Sequence, residues 1–110
     1  MELKIHTIAR DKQLYNATAT YIDGKVTVNK GSHINMTLSD GYKPTPLIKS
    51  LREHKALVCE NGELVEDITF ESLSTAASFV TGRTANGMIT WKTEDGKYVR
   101  HTLSPSGTKE

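Results

Sequence analysis

The segment Gly82-Arg83-Thr84-Ala85-Asn86-Gly87 holds the residue types that most invite a ligand, and Lys92 and Arg100 follow it closely. Guanidinium, carboxamide and ammonium groups make phosphate and base-edge contacts when they converge on one groove. Each also has a structural use. Arg83 falls at the expected end of a helix, where a cation complements the dipole and satisfies free carbonyls. Asn86-Gly87 suits a tight turn on backbone grounds alone. A second basic feature is the stripe Lys49, Arg52 and Lys55, which recurs every three residues with Glu53 interrupting it. A solvated helix face is the competing explanation. As a DNA contact the stripe would neutralise few phosphates, giving a modest affinity that falls with salt. The expected nucleic-acid contact set is therefore Lys49, Arg52, Arg83, Asn86, Lys92 and Arg100.

Other chemistry finds little support. Trp91, the one tryptophan, reads as a core residue packed with Ile89 and Val99, or else as a stacking face for a base. Tyr15, Tyr42 and Tyr98 carry the same two readings. His6, His33, His54 and His101 have no second ligand at helical or turn spacing, so no metal site is expected. Cys59 lies in an apolar run and reads as a small core residue. Glu66 and Asp67 are adjacent, so in a strand their carboxylates face opposite ways. No nucleophile-elbow string occurs. The expectation is no catalytic residue, no enzyme activity and no cofactor.

The elements that must position these residues follow from alternation and turn chemistry. Leu3, Ile5, Thr7 and Ala9 share one face of a first strand. Tyr15, Ala17, Ala19 and Tyr21 share one face of a second. Asp23-Gly24 fits a two-residue type I′ loop, which pairs Tyr21 with Val26 and Ala19 with Val28. Residues 33–35 predict a further short strand. Thr45-Pro46 predicts an N-cap and first helical residue, with Leu47, Ile48 and Leu51 on one helix face. Asn61-Gly62 predicts a hairpin joining Leu57-Val58-Cys59 to Leu64-Val65. Ser72 predicts a second N-cap. Leu73, Ala76, Ala77 and Val80 then form one buried stripe, and Gly82 ends the helix. A hairpin over 88–103, with the three-residue loop Glu94-Asp95-Gly96, pairs Trp91 with Val99. The order β-β-β-α-β-β-α-β-β makes an α+β domain over 1–103, a mainly antiparallel sheet built of hairpins with two α-helices packed on one side. Residues 104–110 offer nothing apolar to bury and read as a flexible tail.

Composition bounds the function. The 110 residues carry 14 Lys+Arg and 13 Asp+Glu, a net charge of +1, which argues against a polybasic nucleic-acid coat. The balance conceals a split: residues 1–55 have nine basic and five acidic side chains, residues 56–110 five and eight. One Cys makes no internal disulfide. No apolar run approaches the roughly 18 residues of a membrane span, and the N-terminus lacks a signal-peptide core. A cytoplasmic protein with no membrane partner is expected.

Several strings occur together: Phe70-Glu71-Ser72-Leu73-Ser74-Thr75-Ala76-Ala77, the Gly82–Gly87 turn, Trp91-Lys92 and Asp95-Gly96-Lys97. In combination they resemble the domain of unknown function 4357, over about residues 15–103. That family is often found at the C-terminal end of GIY-YIG-type nuclease proteins. It is more distantly similar to modules associated with restriction enzymes and adenine methylases. Met88 stands where the family usually has an aromatic, and no nuclease domain is expected ahead of this module. The resemblance implies a non-catalytic accessory module in a nucleic-acid-processing setting, acting alone or through a partner, and with the basic N-terminal half it leads to the expectation of weak nucleic-acid binding in DNA processing. The partners it implies are DNA or RNA, and a nuclease or other protein. A protein-interaction or oligomerisation domain with no nucleic-acid role is the rival, motivated by the near-neutral charge and small core.

Overall fold

Alternation decides which way the sheet faces, and the computed structural model follows it over the residues it describes, 2–9 and 14–100. Strand β1 (Glu2–Ile8) pairs antiparallel with β2 (Asn16–Ile22), and β2 with β3 (Lys25–Val28). Asp23 and Gly24 have φ of 50° and 86°, the positive values a type I′ turn needs. The resulting register sets Tyr21 against Val26 and Ala19 against Val28, as the pattern predicts. Ile5, Ala17, Ala19, Val26 and Val28 are buried on one face. Lys4, His6, Thr18, Thr20 and Thr27 occupy the other by strand alternation.

The complete sheet has the order β4-β3-β2-β1-β5. Its fourth strand, β4 (Ile68–Phe70), is missing from the sequence reading. It pairs Phe70 with Val26 and Ile68 with Val28, extending the buried face. The expected strand at 33–35 is reduced to His33, which bridges Asn16 and Glu63. The hairpin around Asn61-Gly62 forms through the Val58–Leu64 bridge, but it adds no strand to the five of the sheet. Cys59 is exposed there, against the expectation of a core position.

Helix α2 (Leu73–Thr81) covers the buried face over β3 and β4. Ser72 caps it by accepting from the Thr75 N–H. Buried Ala76 and Ala77 let it approach the sheet, and the Phe79 and Phe70 rings meet at a centroid distance of 5.0 Å. Helix α1 (Pro46–Glu53) packs against α2 with Pro46 in its first turn and Thr45 as N-cap. Its buried face differs from the expected one. Ile48 is buried, but Leu47 is 54% exposed and Arg52 only 9% exposed.

Arg52 is buried because it closes the C-terminal end of α2. Its guanidinium donates to the carbonyls of Phe79 and Asn35. The neighbouring carbonyls are also taken. Val80 O accepts from Asn35 N–H at 2.8 Å, Thr81 O from the Asn35 side chain at 3.2 Å, and Gly82 O from Ser39 N–H at 2.8 Å. A helix end is electronegative and leaves its last carbonyls unpaired, so a cation and a strap of N–H donors complete it. Gly82 turns left-handed at φ 77°, and a Cβ there would lie 2.8 Å from Thr37 O. Burial pulls the Arg52 pKa down, partly offset by Tyr42.

The last hairpin has the expected three-residue loop. Thr93 N–H donates to Lys97 O at 2.8 Å and Val99 N–H to Trp91 O at 3.0 Å. It is shorter than expected at both ends. Gly87–Ile89 form a 3-10 turn, β5 is only Lys92–Thr93, and Val99 and Arg100 are already helical. The end of the expected hairpin, 101–103, and the expected tail, 104–110, lie outside the described residues.

Candidate functional site

The turn after α2 is held by serines of the helix and by its own Asn86. Ala85 N–H donates to Ser78 Oγ, Gly87 N–H to Ser74 Oγ, and Met88 N–H to Asn86 Oδ1. Gly87 lies against the Leu73 backbone, where a Cβ would fall 2.3 Å from the Leu73 carbonyl carbon. Trp91 completes the lock. It is fully buried and donates from Nε1 to Leu73 O at 3.1 Å. Trp91 is therefore a core residue, although Ile89, its expected packing neighbour, is 45% exposed. Asn86 caps the 3-10 turn and does not offer its oxygen to a groove. Gly82, Ala85, Asn86 and Gly87 thus all serve the geometry of the turn.

Arg83 does not share that work. Its place after the helix predicts bonds to the free carbonyls of α2, but those are occupied by Arg52, Asn35 and Ser39. Arg83 instead lines a cleft of about 350 Å³ at the edge of the sheet. This notch has a simple origin. β1 pairs with β5 only through Ile5 and His6, so Thr7 and Ile8 run past the end of β5. The chain at Ile89 and Thr90 swings away and leaves an opening.

His6, Tyr15, Arg83, Lys92 and Tyr98 converge on this opening, with Ile8 and Ile89 as apolar walls. Lys92 is paired with His6 across the ladder, and its ammonium lies 5.2 Å from the centre of the Tyr98 ring. That is within the range of a cation–π contact. No carboxylate stands among the described residues that line the notch.

The six expected contact residues do not form one surface. Arg83 and Lys92 meet in the notch. Arg100 is exposed one residue beyond Val99, and Asn86 is committed to its cap. Lys49 lies on α1 beside a separate cleft lined by Met36, Leu38, Pro44, Arg52 and Glu53. Arg52 is removed from any contact set by burial, which breaks the Lys49–Arg52–Lys55 stripe. The sequence reading missed His6, Ile8 and Ile89 as neighbours of Arg83, because only the unequal lengths of β1 and β5 bring them there. Among the described residues no three His, Cys, Asp or Glu side chains gather as a metal would require. No described helix is long and apolar enough to cross a membrane.

Fold and notch together define a small α+β module with one sheet face covered by helices and a cationic cleft at one edge. The model of the family described as domain of unknown function (DUF4357) matches residues 8–103, and the chain belongs to that family. The search of curated proteins finds no match, and that of solved structures finds none.

Proposed function

We propose that this chain is a non-catalytic accessory module that binds nucleic acid weakly through the notch at the β1–β5 edge. The observation that supports the reading is the convergence of Arg83 and Lys92 on one cleft with no described carboxylate facing them. Two cations with no carboxylate among the described lining residues attract phosphate, and neighbouring tyrosines give bases a surface. Two phosphates neutralised give an affinity that is modest and falls with salt, consistent with a net charge of only +1. DNA or RNA is the ligand in this reading. A nuclease or another DNA-processing protein, supplied separately or joined to the module, performs the chemistry.

The experiment is a fluorescence-anisotropy titration with labelled DNA and RNA at low and moderate salt. Saturable binding that weakens with salt supports the reading. No binding up to about 50 µM in low salt overturns it, since even non-specific affinities reach that range. In that case a protein-interaction role becomes the better account. Its supporting observation is the cleft beside α1, where exposed Met36 and Leu38 meet Pro44.

A further inference from the structure

We infer that His6 is a third phosphate-binding group of the notch, acting as its imidazolium, so that nucleic acid binds with uptake of a proton. This rests on the proposed nucleic-acid function and deepens it. Guanidinium and ammonium groups keep their charge across neutral pH, and histidine is the side chain that gains one there. A notch that uses Arg83 and Lys92 alone therefore binds with little dependence on pH, and one that also uses His6 does not.

Strand pairing places the His6 side chain. It stands opposite Lys92 on β5 and opposite Thr18 on β2. Directly opposed side chains share a sheet face, with Cβ atoms about 4.5–5.5 Å apart. Lys4 stands two residues back on that same face. His6 is half-buried and belongs to two clefts. One is the notch. The other, of about 290 Å³, lies on the sheet face that the helices leave uncovered, and Lys4, Thr18, Thr20, Asn29 and Glu94 line it with His6. The imidazole thus stands beside Lys92 at the wall of a cleft whose surface is mostly polar.

The surrounding charges set the sign. The described cations that face His6 are Lys4 from its own strand, Lys92 from β5 and Arg83 from the turn after α2. Glu94, just beyond β5, is the one carboxylate among the described residues of the two clefts. Tyr15 and Tyr98 add phenols, which carry no charge in this range. Three cations against one carboxylate disfavour a further positive charge in the free protein. A bound phosphate brings negative charge and accepts from the ring N–H groups, so it favours the protonated ring. His6 therefore holds its proton more tightly in the complex than in the free protein. By linkage, affinity is highest at low pH and falls as pH rises through the range where histidine loses its proton.

The test titrates the full chain with a labelled thymine-only DNA strand at constant ionic strength, at about pH 5.5 and about pH 8. Neither thymine nor a phosphodiester changes charge between the two. A tenfold rise in the ring's proton affinity on binding makes the fully protonated complex tenfold tighter. The inference predicts binding about five- to tenfold tighter at the lower pH. His6→Gln should bind at both pH values as the parent does at the higher one. His6→Arg, charged at both, should bind at both as the parent does at the lower one, and it carries the test if His6→Gln disturbs the sheet edge. His33→Gln removes an imidazole 3.7 Å from Glu63 and outside the notch, and should keep the parent's pH dependence. Equal parent affinity at the two pH values, or a pH dependence that survives in folded His6→Gln or His6→Arg, overturns the inference and leaves the phosphate-binding function standing. No binding at either pH overturns both.

Discussion

Replacing Arg52 separates a buried structural cation from a surface contact, because the two roles predict opposite outcomes. Arg52→Ala removes two charged-group hydrogen bonds, to Phe79 O and Asn35 O. Each is worth about 1.5–3 kcal/mol. The loss is partly offset because a buried cation with no carboxylate partner among the described residues carries a desolvation cost in the native protein. A net destabilisation of about 3 kcal/mol follows, a large fraction of the roughly 5–15 kcal/mol that stabilises a domain. Urea unfolding followed by the fluorescence of Trp91 measures it directly. With a slope near 1.5 kcal/mol/M, the midpoint should fall by about 2 M. Arg52→Lys should recover only part of the loss, since one ammonium lacks the fork that serves two carbonyls. At temperatures where the variant is folded, its oligonucleotide affinity should equal that of the parent. A destabilisation below about 0.5 kcal/mol, or a folded Arg52→Ala protein with reduced affinity, would refute this reasoning and restore the stripe with Lys49.

Other perturbations test the elements that hold the notch. Gly82→Ala puts a Cβ into a left-handed position 2.8 Å from Thr37 O, so it should destabilise by about 2 kcal/mol or more in the same urea assay. Trp91→Phe leaves Leu73 O without its donor and a gap beneath α2, a loss of about 2 kcal/mol readable by thermal melting. Asp95 accepts from the Thr93 hydroxyl, which together with Lys97 holds its carboxyl below the usual range. Its contribution is therefore present above the ordinary carboxylate pKa and lost as pH falls through the lowered value. The melting temperature of the parent should drop more steeply below about pH 4 than that of Asp95→Asn.

Local chemistry made much of the fold legible. Asp23-Gly24 fixed the first hairpin's register because only one loop length keeps both apolar faces together. Glu94-Asp95-Gly96 did the same for the last. Thr45-Pro46, Ser72 and Gly82 marked helix ends through capping groups that act within a few residues. Signals failed where tertiary partners decide. β4 is three residues long, and Ile68-Thr69-Phe70 becomes a strand only because β3 offers an edge. Arg52 looks like any surface cation on α1, and its burial depends on the α2 carbonyls 27 residues away in sequence. The Gly82–Gly87 motif was recognised as a unit, but its roles were not. Most of its residues build the turn, leaving Arg83 to face the opening. That opening is a difference in length between β1 and β5, which no local pattern announces.

In the proposed function Arg83 and Lys92 each hold a phosphate in the notch. The most direct measurement is the salt dependence of single-strand binding by the parent and by the Arg83→Gln, Lys92→Gln double variant. Each neutralised phosphate contributes about 0.7 to the slope of log affinity against log salt for single strands. The double variant should lose affinity, with a slope shallower by about 1.4. An unchanged affinity and slope in a folded double variant would contradict it.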